Sequence, residues 1–290
     1  MNLYNETMSI LKKYNISAKK SLGQNFLIND DIVEGIINAA EIKKEDLIIE
    51  IGPGLGTLTK RLLDEAGKVI CIELDTRMIE ILNDRFKTYS NFKLINDDVL
   101  KVDVKKLIKE EKINNVKIVA NLPYYITTPI IMKLLEDRLD IQSITVMVQK
   151  EVADRLVEKP GGNNSGAITY AINYYTKPKK ILNVPNTSFI PSPEVNSSVI
   201  QLKVLSKPSV KVQNEELLFK IIKFAFMQKR KTLLNALSNG KLAIKEEIEK
   251  MLVDLGIDTR IRGEKLTLEE FAKITDYINE NWQNSHFGIK

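Results

Sequence analysis

Between Leu47 and Gln149, short apolar runs alternate with stretches whose apolar residues recur at helical spacing. The runs are Leu47–Ile51, Val69–Glu73, Phe92–Asn96, Val116–Asn121 and Ser143–Gln149. Each reads as a strand. Between the first two, Thr57–Ala66 places Leu58, Leu62 and Leu63 on one helical face, with Gly67 as a candidate residue just past its end. Thr76–Phe86 reads as the next helix. Strands alternating with helices imply parallel pairing, because a parallel strand can be reached only by a long crossover. Such crossovers are right-handed. The expected fold class is therefore α/β, with a doubly wound, Rossmann-like sheet covered on both faces.

After Lys159 the pattern changes. Residues Pro160 to Gly166, rich in Gly and Asn, read as a flexible loop. Ala167–Tyr174, Lys180–Val184 and Ser197–Leu205 read as strands. Ser206–Gln213 carries Pro208 and little apolar patterning, and reads as a linker. Beyond it, Leu217–Leu237, Ile244–Leu255 and Leu268–Trp282 read as helices. The expected division is residues 1–206, holding the sheet and an N-terminal arm, and residues 207–290, a small all-helical domain.

Composition excludes several classes. No apolar run reaches the roughly 18 residues of a membrane span. Met1 to Ile10 has neither a basic start followed by an apolar block nor a small-residue cleavage site, so a cytoplasmic protein is expected. A lone cysteine, Cys71, forbids an intramolecular disulfide, and its apolar surroundings predict a buried core position. The single histidine, His286, has no nearby partner, so neither a metal site nor histidine-based catalysis is expected. The net charge is +5. It concentrates in Lys12, Lys13, Lys19 and Lys20, in Lys177, Lys179 and Lys180, and in Lys229, Arg230 and Lys231. Patches of this kind suit a polyanion.

Glu50-Ile51-Gly52-Pro53-Gly54-Leu55-Gly56 lies between a strand and a helix. Gly52 and Gly54 lack Cβ atoms, so the backbone can approach a ligand closely. The helix start adds unpaired N–H groups. A dinucleotide fingerprint requires its third glycine at position 57, which is Thr. The tighter spacing fits a nucleotide-like ligand without a pyrophosphate. Glu73 ends the second strand, where a carboxylate can accept hydrogen bonds from both hydroxyls of a ribose. Asp98 follows the third strand and can accept from an adenine amino group. A dehydrogenase also uses a ribose-binding acid, so these two residues alone leave that alternative open.

Asn121-Leu122-Pro123-Tyr124 ends the fourth strand and is the most specific signal in the chain. It resembles the (Asp/Asn/Ser)-Pro-Pro-(Tyr/Phe) motif of methyltransferases that act on base amino groups. The chemistry accounts for the residue types. An exocyclic amino nitrogen has its lone pair delocalised into the ring and must pyramidalise before it attacks a methyl group. The Asn121 amide oxygen and a backbone carbonyl at Leu122 or Pro123 can accept its N–H bonds and favour the charge that develops. Tyr124 can stack on the base once it has left its helix. A sulfonium methyl donor needs no strong general base. The implied cofactor is S-adenosylmethionine.

With this motif the chain resembles, over its whole length, the ribosomal RNA adenine dimethyltransferases, and most closely their bacterial small-subunit branch. Lys20-Ser21-Leu22-Gly23-Gln24-Asn25-Phe26-Leu27 is similar to the family's K-x-x-G-Q-N-F-L box. Residues 148–153 are similar to V-Q-K-E-V-A, and residues 189–195 to F-x-P-x-P-x-V. The resemblance implies a class I methyltransferase domain in which Asn25 and Leu27, with Gln24 nearby, join Gly52, Glu73, Asp98 and Asn121 around the cofactor. It gives Phe189 two possible places, as a second wall around a flipped adenine or as core packing. It implies dimethylation of two adjacent adenosines in a small-subunit rRNA hairpin, on free RNA or an immature subunit, by a monomeric enzyme. The helical domain would dock on the RNA through Lys220, Lys223, Lys229, Arg230 and Lys231. The alternatives are the antibiotic-resistance group acting on large-subunit rRNA, which shares the site, and a binding or ribosome-assembly factor on the same fold. The long N-terminal arm and full C-terminal domain favour the small-subunit branch.

Overall fold

The computed structural model describes residues 2–19 and 22–282. Lys20 and Ser21 of the N-terminal box, and His286, lie outside the described residues. By contact density the chain forms two units, residues 1–153 with 178–204, and residues 154–177 with 205–290.

Among the described residues there are nine strands in chain order, which belong to the first unit except for the first two residues of the seventh. They are β1 (Phe26–Leu27), β2 (Leu47–Ile51), β3 (Lys68–Glu73), β4 (Phe92–Asn96), β5 (Val116–Asn121), β6 (Ser143–Gln149), β7 (Thr176–Val184), β8 (Phe189–Ile190) and β9 (Ser197–Val204). Seven form one sheet in the order β4-β3-β2-β5-β6-β9-β7. β2 pairs in parallel with both β3 and β5, and β5 with β6, while β9 runs antiparallel to β6. Ile48, Ile49, Val69, Ile70, Ile118 and Val119 are wholly buried. Burial on both faces is why these strands read as unbroken apolar runs. From β2 the chain winds outward through β3 and β4, then returns to β5 on the other side of β2. Strand order therefore reverses between β2 and β5, which is where open α/β sheets bind ligands.

Helix starts follow from local chemistry. Asp75 accepts the Arg77 N–H at the start of Thr76–Phe86, and Asn29 accepts the Ile32 N–H at the start of Asp30–Ala40. Gly67, expected to cap the helix that ends at Glu65, does something else. It has no positive φ, and a Cβ there would lie 2.2 Å from the Lys44 carbonyl oxygen. It is glycine because another backbone crosses it closely.

The second unit corrects three expectations. Ala167–Tyr175 is a helix, not a strand. Its Tyr170 is fully buried and its hydroxyl donates to the Leu266 carbonyl at 2.6 Å. Its β-branched and aromatic residues reflect burial within the helical unit. The boundary differs accordingly, since residues 154–177 group with the C-terminal helices and not with the sheet. The stretch Leu217–Leu237 is also not continuous. It splits into Glu215–Met227 and Leu233–Asn239, and the Thr232 side chain caps the second helix. Lys229, Arg230 and Lys231 occupy the exposed turn between them. Among the described residues no helix is long and apolar enough to cross a membrane, and no group of three His, Cys, Asp or Glu could hold a metal ion.

Candidate active site

The loops after β2, β3, β4 and β5 meet in one open cleft. Asn25, Leu27, Gly52, Gly54, Glu73, Asp98, Asn121, Leu122, Pro123, Tyr124 and Phe189 all line it. The topology explains the convergence. Ile51 is in register with Ala120 across β2 and β5, so Gly52 and Asn121 leave adjacent strands side by side.

The glycine loop is conformationally specified. Gly52, Gly54 and Gly56 have φ of +67°, +57° and +82°. A Cβ at Gly52 would meet nothing within 4 Å, so this backbone faces open cleft. A Cβ at Gly56 would lie 2.5 Å from the Phe86 ring, which makes that glycine a packing requirement instead. The Gly54 N–H donates to Glu73 Oε2 at 3.0 Å, and the Asp75 N–H to Glu73 Oε1 at 2.8 Å. Burial pushes the Glu73 carboxyl upward from its ordinary pKa, and these two N–H groups act against that shift. Asp98 accepts the Leu100 N–H through one oxygen, at 3.0 Å.

The tetrapeptide is narrowed by its hydrogen bonds. The Pro123 carbonyl already accepts from the Ile126 N–H at 3.2 Å and the Thr127 hydroxyl at 3.1 Å. Leu122 donates its N–H to the Met147 carbonyl. Among the described residues its own carbonyl receives no backbone N–H. Leu122, not Pro123, is therefore the backbone acceptor left for an amino group. The Tyr124 hydroxyl is 2.8 Å from Ser197 Oγ on β9, which fixes the ring. Phe189 is 3% exposed and packs in the hydrophobic core while also lining the cleft.

The N-terminal box reaches the cleft through a two-stranded ribbon, with Phe26 opposite Ile190 and Leu27 opposite Phe189. Gln24 does not stand free in the cleft. It donates to Asp75 Oδ2 at 2.8 Å and accepts from the Lys19 N–H at 2.9 Å and from Arg77 at 3.3 Å. Burial would raise Asp75, but hydrogen bonds from Arg77 and Gln24 outweigh it and hold the carboxyl at about 2. Asp75 thus ties the arm beside Glu73. Its partner Gln24 lies some fifty residues earlier, so the sequence carries no local sign of this tie.

Comparison with known proteins gives these residues a context. The family model described as "Ribosomal RNA adenine dimethylase" matches residues 15–280. The chain belongs to that family. It is similar to the ribosomal RNA small subunit methyltransferase A of Geobacillus sp., with 50% identity over 94% of this chain and 95% of the relative. The protein of the same name from Lachnoclostridium phytofermentans is 48% identical over 95% of this chain and 96% of its own. Among solved structures, a dimethyladenosine transferase from Plasmodium falciparum superposes with a TM-score of 0.75 at 29% identity, covering 88% of this chain and 98% of that one. The 23S rRNA methyltransferase ErmE superposes with a TM-score of 0.68 at 21% identity over 88% of this chain and all of its own, which supports the shared fold.

Ribosomal RNA adenine dimethylases use S-adenosylmethionine, and the residues present fit it. The open cradle at Gly52 admits a ligand against bare backbone. Glu73 and Asp98 each keep acceptor capacity at successive strand ends. Below the glycine loop, Glu50 is 1% exposed and accepts from the Thr59 hydroxyl at 2.6 Å and the Cys71 thiol at 3.3 Å. Burial raises the Glu50 carboxyl to about 7. A carboxyl that is raised in the folded chain contributes stability below its unfolded pKa and loses that contribution as pH rises through about 7. Between pH 5 and 7 this group should therefore lower wild-type unfolding free energy by at most about 1.4 kcal/mol per pH unit, and the thermal midpoint should fall with it. Glu50→Gln should remove that part of the slope. Parallel wild-type and variant curves would exclude Glu50 as its source.

Proposed function

We propose that this chain transfers methyl groups to the exocyclic amino groups of two adjacent adenosines in small-subunit ribosomal RNA. The observation that carries this reading is the pairing of two free acceptors, the Asn121 amide and the Leu122 carbonyl, at the strand end beside the glycine loop. S-adenosylmethionine, when bound, supplies a methyl group on a positively charged sulfur. Gly52 and Gly54, with Glu73, Asp98, Asn25 and Leu27, hold it. Asn121 and Leu122 accept from the N–H groups of the target amine, two in the first transfer and one in the second, and favour the pyramidal nitrogen whose lone pair has left conjugation with the ring. They also stabilise the positive charge that builds on that nitrogen. After each transfer the nitrogen loses one proton to solvent. Tyr124, anchored by Ser197, and Phe189 provide aromatic surface for a base drawn out of its stack.

Recognition of the RNA rests on charge. Lys229, Arg230 and Lys231 are exposed on one turn, where extended side chains can reach phosphates. Reversing all three to Glu should weaken binding to unmethylated small subunits and lower the slope of log affinity against log salt by about 2–3, with cofactor affinity unchanged. An unaltered slope would place the phosphate contacts elsewhere.

The test of the whole reading is incubation with labelled S-adenosylmethionine and unmethylated small or large ribosomal subunits, followed by nucleoside analysis. Label in dimethyladenosine from the small subunit supports it. Label confined to the large subunit, or to another nucleoside, overturns it.

A further inference from the structure

A second ring, Tyr125, follows the tetrapeptide and plays no part in the chemistry above. It lines the same cleft and is 59% exposed, against 46% for Tyr4. A single exposed ring is ordinary on a protein surface, and what sets Tyr125 apart is its place in the cleft beside Tyr124. Its neighbour shows the contrast. Tyr124 is half-buried and hydrogen-bonded to Ser197, whereas the Tyr125 hydroxyl has no hydrogen-bond partner among the described residues.

The Tyr125 ring is nevertheless supported. Gly23 has a φ of +59°, and a Cβ there would lie 3.5 Å from Tyr125 Cδ1, 3.6 Å from Cε1 and 3.6 Å from Pro123 Cβ. Gly23 thus lies beside one edge of the ring, and its positive φ, not a lack of room, is what favours glycine there. Pro123 also has its carbonyl committed to the following helical turn, so the segment carrying the ring is braced. The result is an exposed ring on a braced segment at the rim of the cleft, one residue beyond the ring proposed to meet the target base.

We infer that Tyr125 is a stacking platform for the nucleobase adjacent to the target adenine. The inference rests on the proposed function. Drawing one base out of a stack strips its neighbour of a stacking partner, a cost that the enzyme must offset. A rim aromatic next to the target-binding residue offers the neighbour a replacement face. Stacking accepts any base, because every base has a π-face. The same ring therefore serves when either of two adjacent adenosines is the one drawn in, with whichever base lies beside it. The subsite takes an unpaired nucleobase through its face and needs no charge.

The test compares Tyr125→Ala, Tyr125→Leu and Tyr125→Phe with the wild-type enzyme on unmethylated small subunits. It measures kcat and KM for the subunit, and cofactor affinity by calorimetry. Thermal midpoints check folding, which an exposed ring should barely affect. Tyr125→Ala and Tyr125→Leu should each lose about tenfold in kcat/KM for the subunit, as expected for one lost base–aromatic stack. Tyr125→Phe should stay within about threefold, because it keeps the ring and loses only the hydroxyl. Cofactor affinity should stay within about twofold in all three, since base stacking leaves the cofactor contacts intact. Three results would overturn the inference. These are wild-type turnover in Tyr125→Ala, a Phe variant as impaired as the Ala variant, or a parallel loss of cofactor affinity. The Leu variant separates stacking from general apolar contact, so full activity there also counts against it. A wild-type enzyme that leaves small-subunit adenosines untouched would overturn the proposed function itself, an outcome distinct from any difference among variants.

Discussion

Asn121→Ala is expected to slow methyl transfer by about 10³-fold or more, the scale seen when one preorganised polar group that meets developing charge is removed. S-adenosylmethionine should still bind, because the glycine loop, Glu73 and Asp98 are untouched. The size of the effect follows from what is left. With the amide gone, the Leu122 carbonyl is the remaining free acceptor at that strand end, and one acceptor cannot fix the orientation of an NH₂ group. The nitrogen would keep its lone pair delocalised into the π system of the ring and present a poor nucleophile. Asn121→Asp retains an acceptor oxygen and should retain measurable turnover. Single-turnover rates with saturating cofactor, paired with calorimetry, separate chemistry from binding. Turnover near wild type in Asn121→Ala would remove this residue from the reaction. Loss of cofactor binding in step with rate would reassign it to the cofactor half of the site.

The parts of this site that could be seen in the sequence are those whose chemistry is local. β2, β3, β5 and β6 announce themselves as apolar runs because both faces of the sheet are buried there, whereas β4 lies half-exposed at the sheet edge. Gly52 to Gly56 and Asn121 to Tyr124 each follow such a run directly, so their placement at strand ends needs no tertiary information. What was not legible depends on distant partners. Ala167–Tyr175 carries Ile168, Thr169, Tyr170 and Ile172, side chains as suited to a strand as to a buried helix, and period alone does not decide between them. The break at 228–232 is signalled only weakly, by a Thr cap after three basic residues. The β1–β8 ribbon joins residues more than 160 apart through two-residue strands, too short for any pattern. The same holds for Tyr124 and Ser197, which are 73 positions apart. The Pro123 carbonyl looked equivalent to that of Leu122 until Ile126 and Thr127 were seen to occupy it.

The second large effect should come from Glu73, whose removal is expected to weaken S-adenosylmethionine binding by about a hundredfold, some 2.7 kcal/mol. Two losses combine. The carboxylate no longer accepts from the ribose hydroxyls, and hydrogen bonds to a charged group contribute about 1.5–3 kcal/mol. The Gly54 and Asp75 N–H groups also lose their shared acceptor, so the glycine loop and the corner after β3 are no longer tied together. Glutamine does not repair this. It has one acceptor oxygen, and its NH₂ would face the second backbone N–H, donor against donor. Glu73→Gln should therefore bind nearly as poorly as Glu73→Ala, although the two side chains have almost the same shape. Glu73→Asp keeps both oxygens on a shorter stem and should fall between them and the wild type. Calorimetric titration with the cofactor measures all three. A glutamine variant that binds like wild type would show that neither the charge nor the second acceptor oxygen matters, and that the loop is held by packing alone.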